Sequence, residues 1–173
     1  MNILVFSAYY TPEVAASIYF TENILKGMVK DGHFIEMYVP TPTRGISEEI
    51  RKDYKKRKKE ALHGGHLIIN RMSLYGEGKN SILRAIRYLL MNFLFIWKSL
   101  FVNADVIFVQ STPPTQGLMA VLIKKVRGFP IVYNLQDIFP DSLVSTGLTK
   151  KNSLLWKVGR IIEDFTYRNV DKI

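Results

Sequence analysis

Asp105–Leu135 reads DVIFVQSTPPTQGLMAVLIKKVRGFPIVYNL, and the reading of this stretch decides the fold class. Asp105–Val109 is a short apolar run, followed by turn chemistry with two prolines. Thr115–Arg127 then has helical spacing and stops at Gly128, the residue best suited to a left-handed helix end. Ile131–Leu135 is a second apolar run. Strand, helix, strand, with no wet alternating face on either strand, is the unit of a parallel sheet covered on both sides. The same alternation extends outward: Ile3–Phe6, Phe34–Val39 and Leu67–Asn70 read as strands. A helical pattern after Ser17 places Phe20, Ile24, Leu25 and Met28 on one face and closes at Gly32. Pro140 opens a short turn or helix. Leu154–Arg168 is amphipathic, with Leu154, Leu155, Val158, Ile161, Ile162 and Phe165 as its expected buried face. The expected architecture is a doubly wound, Rossmann-like α/β domain with a mainly parallel sheet over residues 1–173. Asp171-Lys172-Ile173 resembles the opening of one more strand, so the chain is expected to be cut at a boundary rather than to end there naturally.

Composition narrows the function classes. There is no cysteine, which excludes a disulfide scaffold and a thiolate metal site and fits a reducing interior. The opening Met1–Phe6 lacks the basic region and cleavage site of a signal peptide. The net charge of +9 is local: Arg51, Lys52, Lys55, Lys56, Arg57, Lys58 and Lys59 supply seven positive charges in nine residues, inside a basic insertion at 43–66. Such a run is either a solvated face or a contact for an anionic surface. Its single aromatic, Tyr54, and the lack of a docking motif argue against nucleic acid.

In a doubly wound sheet, ligands bind beyond the carboxyl ends of the strands. Three loops qualify. The first, Ser7–Ser17, contains no G-x-G-x-x-G, and the chain has no Walker A lysine motif, which argues against hydride transfer and nucleoside triphosphatase chemistry. It ends in Ala15, Ala16 and Ser17, small residues that let a ligand approach the backbone, although Ser17 reads equally well as a helix cap. The second loop offers Gln110, Ser111 and Thr112, and is read evenly as a ligand contact or a proline turn with Thr115 as cap. The third, Gln136–Ser142, is the sharpest. Gln136 and Asp137 follow directly on a strand, and a carboxylate there can accept a sugar hydroxyl's hydrogen bond or its proton. Asp141, just after Pro140, suits a helix start as well as a ligand.

Taken together, ILVFSAYYTPEV (Ile3–Val14), DVIFVQSTPPTQG (Asp105–Gly117) and VYNLQDIFPDS (Val132–Ser142), with KDGH at Lys30–His33, resemble the N-terminal domain of family-4 glycosyltransferases of the GT-B fold. The likeness is to the branch that builds bacterial capsule, O-antigen and related polysaccharides. The resemblance implies transfer of a sugar from a nucleotide-sugar donor, with retention of configuration, no metal and no cofactor. It also implies that this half holds the acceptor, while a further C-terminal domain grips the donor, so that 1–173 alone is expected to be inactive. Substrate contacts then fall on Ala15, Ala16, Ser17, Gln110, Ser111, Thr112, Gln136 and Asp141, with Asp137 the candidate base. Two positions depart from the family pattern: Ala15-Ala16 stands where many relatives have glycine, and Gln110 where many have histidine. His33, His63 and His66 lie outside the βα loops and read as surface residues. The alternative is a non-catalytic, membrane-associated subunit of a split transferase.

Acceptors in that branch are commonly sugars on polyprenyl diphosphate, which implies a cytoplasmic protein, peripheral on the inner face of the cell membrane. Ile82–Phe101 is the longest apolar stretch, yet Arg87 and Lys98 leave only ten uncharged residues between them, too few to span a bilayer. The spacing of Ile82, Ile86, Leu89, Leu90, Phe93, Trp97, Leu100 and Phe101 predicts a helix with that face on the sheet. The other side, with Arg84, Arg87, Tyr88, Met91, Phe95 and Lys98, is then expected to meet anionic lipid or the insertion.

Overall fold

A computed structural model describes residues 1–76 and 80–173, except for the side chains of Ala16, Ser81 and Ile82. The elements are β1 (Asn2–Phe6), α1 (Ala16–Lys30), β2 (Phe34–Pro40), α2 (Glu48–Lys56), β3 (Lys59–Leu62), β4 (Leu67–Met72), α3 (Ser81–Ser99), β5 (Val106–Gln110), α4 (Thr115–Arg127), β6 (Ile131–Asn134), α5 (Asp141–Ser145) and α6 (Leu154–Asn169). They build one six-stranded sheet in the order β3-β4-β2-β1-β5-β6, parallel except for the edge strand β3. The fold is α/β and Rossmann-like, as the alternation of apolar runs and helical patterns requires.

Alternate residues of each strand feed two cores. Leu4, Phe6, Ile107, Val109, Ile131 and Tyr133 face α3, α4 and α6, where they meet Met91, Phe95, Met119, Ile123 and Phe165. Ile3, Val5, Ile35, Met37, Leu67 and Ile69 face α1, against Ile24, Leu25 and Met28. The central β1 is buried on both faces, which is why it reads as a continuous apolar run. Lys172 makes a parallel bridge to Val132 on the outer edge of β6, so the chain's last residues do begin to extend the sheet.

Helix faces are where the structure departs from the sequence reading. On α3 the buried side is Arg87, Met91 and Phe95, while Ile86, Leu89, Leu90, Phe93, Trp97 and Phe101 are exposed. The placement of Arg87, Met91 and Phe95 at a lipid surface is therefore corrected: they face the sheet. Phe95 packs against Phe6 with ring centroids 4.7 Å apart and the planes tilted by 36°, and Arg87 donates from Nε to the Tyr75 carbonyl at 2.9 Å. Both sides of this helix are apolar enough to pack, so periodicity finds the helix but cannot choose its side. On α6 the expected core residues Leu154, Leu155, Val158 and Ile161 are exposed, and Gly159, Glu163 and Thr166 are buried. Close approach selects that face. A Cβ on Gly117 of α4 would lie 2.5 Å from Thr166 Cγ2, so α4 and α6 pack through small residues rather than through leucines.

The basic insertion is ordered. Ser47 caps α2, accepting from the Ile50 N–H, and the helix buries no residue. β3 then forms the outer edge of the sheet, and its short length with the charged Lys59 and Glu60 discourages pairing with a second sheet. Lys52, Lys55, Lys56, Arg57, Lys58 and Lys59 are exposed. Arg51 is half-buried, ion-paired to Glu48 at 3.1 Å. No helix among the described residues is long and apolar enough to cross a membrane.

Candidate functional site

From β1 the sheet grows through β2 to β4, and the chain then returns to β5 and β6 on the other side. The switch lies between β1 and β5, and the loops at their carboxyl ends frame the crevice where such sheets take ligands. The floor of that crevice is closed by the protein itself. Gln110 ends β5, is 3% exposed, and donates from its amide to the Thr21 hydroxyl of α1. The Gln116 amide lies between the Gln110 carbonyl, 3.2 Å away, and the Ala8 N–H, 3.0 Å away, and satisfies both when its nitrogen faces the carbonyl and its oxygen the N–H. Ser111 is buried, and its Oγ accepts from the Gln136 and Asp137 N–H groups at 2.9 and 3.1 Å. Gln110 and Ser111 thus act inside the scaffold, and Ser111 fixes the backbone from which two candidate ligand residues project.

The open part of the crevice is displaced toward β6. A cleft of about 470 Å³ is lined by Ser17, Phe20 and Ile24 of α1, Thr112, Asn134 at the end of β6, and Gln136 and Asp137. It gathers four residues expected from sequence, namely Ser17, Thr112, Gln136 and Asp137. Ala15 is the N-cap of α1 and its side chain makes no capping bond, so Ser17 is the second residue of the helix and is not the cap. The Ala16 side chain lies outside the described residues. Asp141 is drawn away from the cleft: it accepts from Trp156 Nε1 at 2.8 Å and pairs with Arg160, and these partners hold its carboxyl below the ordinary range.

Three lining residues were not anticipated as ligand contacts. Phe20, a member of the apolar stripe that the spacing predicts for α1, is 60% exposed and lines the cleft instead of the core. Ile24 follows one turn later, and Asn134 enters because β6 stops before Leu135. The Asn134 Nδ2 has no hydrogen-bond partner and is shielded from solvent. Glu13 also escaped the sequence reading. Its buried Oε1 accepts from the Thr43 and Arg44 N–H groups at 2.7 and 2.9 Å, tying the first loop to the segment after β2. Burial raises its pKa, and those same hydrogen bonds oppose the rise.

A second hollow, about 150 Å³, lies at the opposite end of the strands beside Asn2, Phe34 and His66, remote from the βα loops. His66 stacks on Phe34 there with centroids 4.3 Å apart. Among the described residues no group of three or more His, Asp or Glu is placed to hold a metal.

Sheet and cleft together define a Rossmann-like α/β domain whose switch point carries a cleft of mixed polar and apolar lining with one exposed aromatic ring. No protein-family model matches the chain. It is similar to a probable glycosyltransferase, WbjE, of Pseudomonas aeruginosa, with 30% identity over 100 residues. That stretch is 56% of this chain and 25% of the relative, so the match covers about a quarter of the relative's length.

Proposed function

We propose that this chain is the acceptor-binding part of a glycosyltransferase. One observation carries the reading: an exposed Phe20 ring beside Asn134, Gln136, Asp137 and Thr112 in one open cleft. A pyranose presents a C–H face that packs on an aromatic ring and hydroxyls that need amide and carboxylate partners, and this cleft offers both. The similarity to a probable glycosyltransferase supports the same class of chemistry.

In this proposal Asp137 accepts the proton of the acceptor hydroxyl. The freed oxygen bonds to the donor's anomeric carbon on the same face from which the nucleotide diphosphate departs, with the bond from that carbon to the diphosphate oxygen breaking and the diphosphate leaving with its electron pair. The donor is a nucleotide sugar held mainly by a further domain, transfer retains configuration, and no metal or cofactor takes part. The acceptor is a saccharide on a polyprenyl diphosphate at the cytoplasmic face of the membrane, in synthesis of a cell-surface polysaccharide such as capsule or lipopolysaccharide. The test is a titration of the chain in detergent with a polyprenyl-diphosphate-linked saccharide and with free nucleotide sugar. The lipid-linked saccharide is expected to bind more tightly, and Phe20→Ala and Asp137→Asn are each expected to weaken it about tenfold. Equal or weaker binding of the lipid-linked saccharide, or indifference to both substitutions, overturns the reading.

A further inference from the structure

α3 is apolar on both of its sides, and only one side is covered. Met91 and Phe95 pack on the sheet, while Ile86, Leu89, Leu90, Phe93 and Trp97, with Phe101 just past the helix end, lie 44–72% exposed. A helix that is apolar all round is ordinarily enclosed. Across a groove of about 230 Å³ the apolar surface continues onto α4 through Leu122, with the exposed Val126 one turn further along. The polar residues lining that groove are Asn92 and Thr115, and they are joined to each other, Asn92 Nδ2 donating to Thr115 Oγ1 at 2.8 Å.

Size and charge say what covers it. With about 200 Å² for a fully exposed large side chain, the face amounts to roughly 900 Å². The largest patch on a monomer is about 300–600 Å², whereas each partner in a stable complex contributes about 800 Å². No charged residue stands between Arg87 and Lys98 in the sequence, and Arg87 is buried. Arg84 and Lys98, seven residues before and after Met91, fall on its side of the helix and off the apolar face. On α4, Lys124 pairs with Asp171 at 2.7 Å, Lys125 lies over the Phe165 ring at 5.1 Å, and Arg127 donates to the Val102 carbonyl at 2.9 Å. The cations of both helices are thus turned aside. What remains is aromatic-rich and without charge at its centre, the composition of a protein interface core, whereas anionic lipid selects a face interleaved with cations.

We propose that this face is a two-fold interface between two copies of the chain. It carries both halves of a self-complementary contact. Phe93 and Trp97 form a ridge, and beside them runs the groove lined by Ile96, Leu118 and Leu122. A two-fold axis near Phe93 lets the ridge of each copy enter the groove of the other, which is the packing that neighbouring helices adopt. Because the cations of α3 and α4 point elsewhere, the pairing opposes no like charges. Trp97 and Phe101, edge to face with centroids 5.4 Å apart, are the aromatic anchors. The exposed stripe of α6, which includes Val158 and Ile161, is bordered by the exposed Lys157 and the Arg160–Asp164 pair and makes a poorer core. The pairing is independent of the saccharide reading.

The test is sedimentation velocity of the chain over about a hundredfold range of concentration, in low and in high salt. The mass is expected to rise from that of one chain to that of two, equally in both salts, because an apolar contact is not screened. The melting temperature should rise with concentration. Phe93→Ser with Trp97→Ser is expected to raise the dimer dissociation constant at least about a hundredfold, since two-fold symmetry counts each substitution twice. Circular dichroism of the dilute variant should match the parent, because both side chains are exposed. Leu122→Glu, on the other helix, should disrupt pairing as well, so the result does not hang on the folding of one variant. Ile161→Ser, on α6, should leave pairing intact. The mass of a single chain at every concentration overturns the proposal. So does a dimer that survives the α3 and α4 substitutions, or one that Ile161→Ser abolishes. A monomer whose Trp97 emission is quenched by brominated lipid in phosphatidylcholine–phosphatidylglycerol vesicles overturns it in favour of a bilayer.

Discussion

At the residue scale, two buried groups decide how the cleft is held. The Ser111 hydroxyl is the common acceptor for the two N–H groups that begin the Gln136-Asp137 turn. Ser111→Ala leaves both donors unpaired, at a cost of about 1–3 kcal/mol, read as a lower urea midpoint. A midpoint unchanged from the parent would mean that water replaces the hydroxyl without loss. Glu163 lies beneath the same loop, fully buried near Tyr133, Tyr167 and Arg160 and within the field of Asp137. Burial raises its pKa above the ordinary carboxyl value, against the opposing tyrosine hydroxyls and Arg160. A carboxyl whose folded pKa is raised destabilises the fold when ionised, and that penalty is relieved as pH falls toward the unfolded value of about 4.3. Glu163→Gln is therefore expected to melt higher than the parent at pH 7 and to lose the advantage near pH 4. An advantage that persists or grows at pH 4 would contradict this sign.

At the scale of elements, the third loop rests on α6 through a glycine. A Cβ on Gly159 would come within 2.6 Å of Phe139 Cε1 and 2.9 Å of Pro140 Cβ. Gly159→Ala is expected to push the loop outward and to weaken saccharide binding. Although alanine favours helix by about 1 kcal/mol over glycine, the overpacking should leave no net gain in melting temperature. A stabilised variant with parental binding would show that the loop yields freely. Gly159 also shows why element identity was more legible than element orientation. The strands were readable because β1 and β5 are buried on both faces and carry unbroken apolar runs, and β2 is broken only by Glu36. The α6 face was not, because its buried residues are Gly159, Glu163 and Thr166, types that a hydrophobic pattern scores as surface. On α3, two apolar sides competed and only the pairing of Phe95 with Phe6 distinguishes them. The cleft was half legible for a related reason. Ser17, Thr112, Gln136 and Asp137 follow from strand ends alone, whereas Phe20 depends on which side of α1 is buried and Asn134 on where β6 stops.

At the scale of the whole molecule, stability is unevenly distributed. The side of the sheet holding β1, β5 and β6 is backed by α3, α4 and α6, whose buried residues form the larger core. On the other side, β3 is an edge strand without a fully buried residue, and α2 buries none of its nine residues. A helix of that length has no intrinsic stability in water, and most helical stability comes from burying an apolar face. What holds α2 is local: the Ser47 cap, the Glu48–Arg51 and Asp53–Arg57 ion pairs, and Tyr54 beneath the Arg71 guanidinium at 4.6 Å. Exposed ion pairs contribute little, about 0.2–1 kcal/mol each. The insertion is therefore expected to open without unfolding the sheet. Hydrogen exchange followed by mass spectrometry should show the amides of α2 exchanging well before those of α4, and β1 exchanging last. Protection of α2 equal to that of α4 would contradict the uneven distribution, and would require a contact holding α2 beyond its cap, its ion pairs and Tyr54.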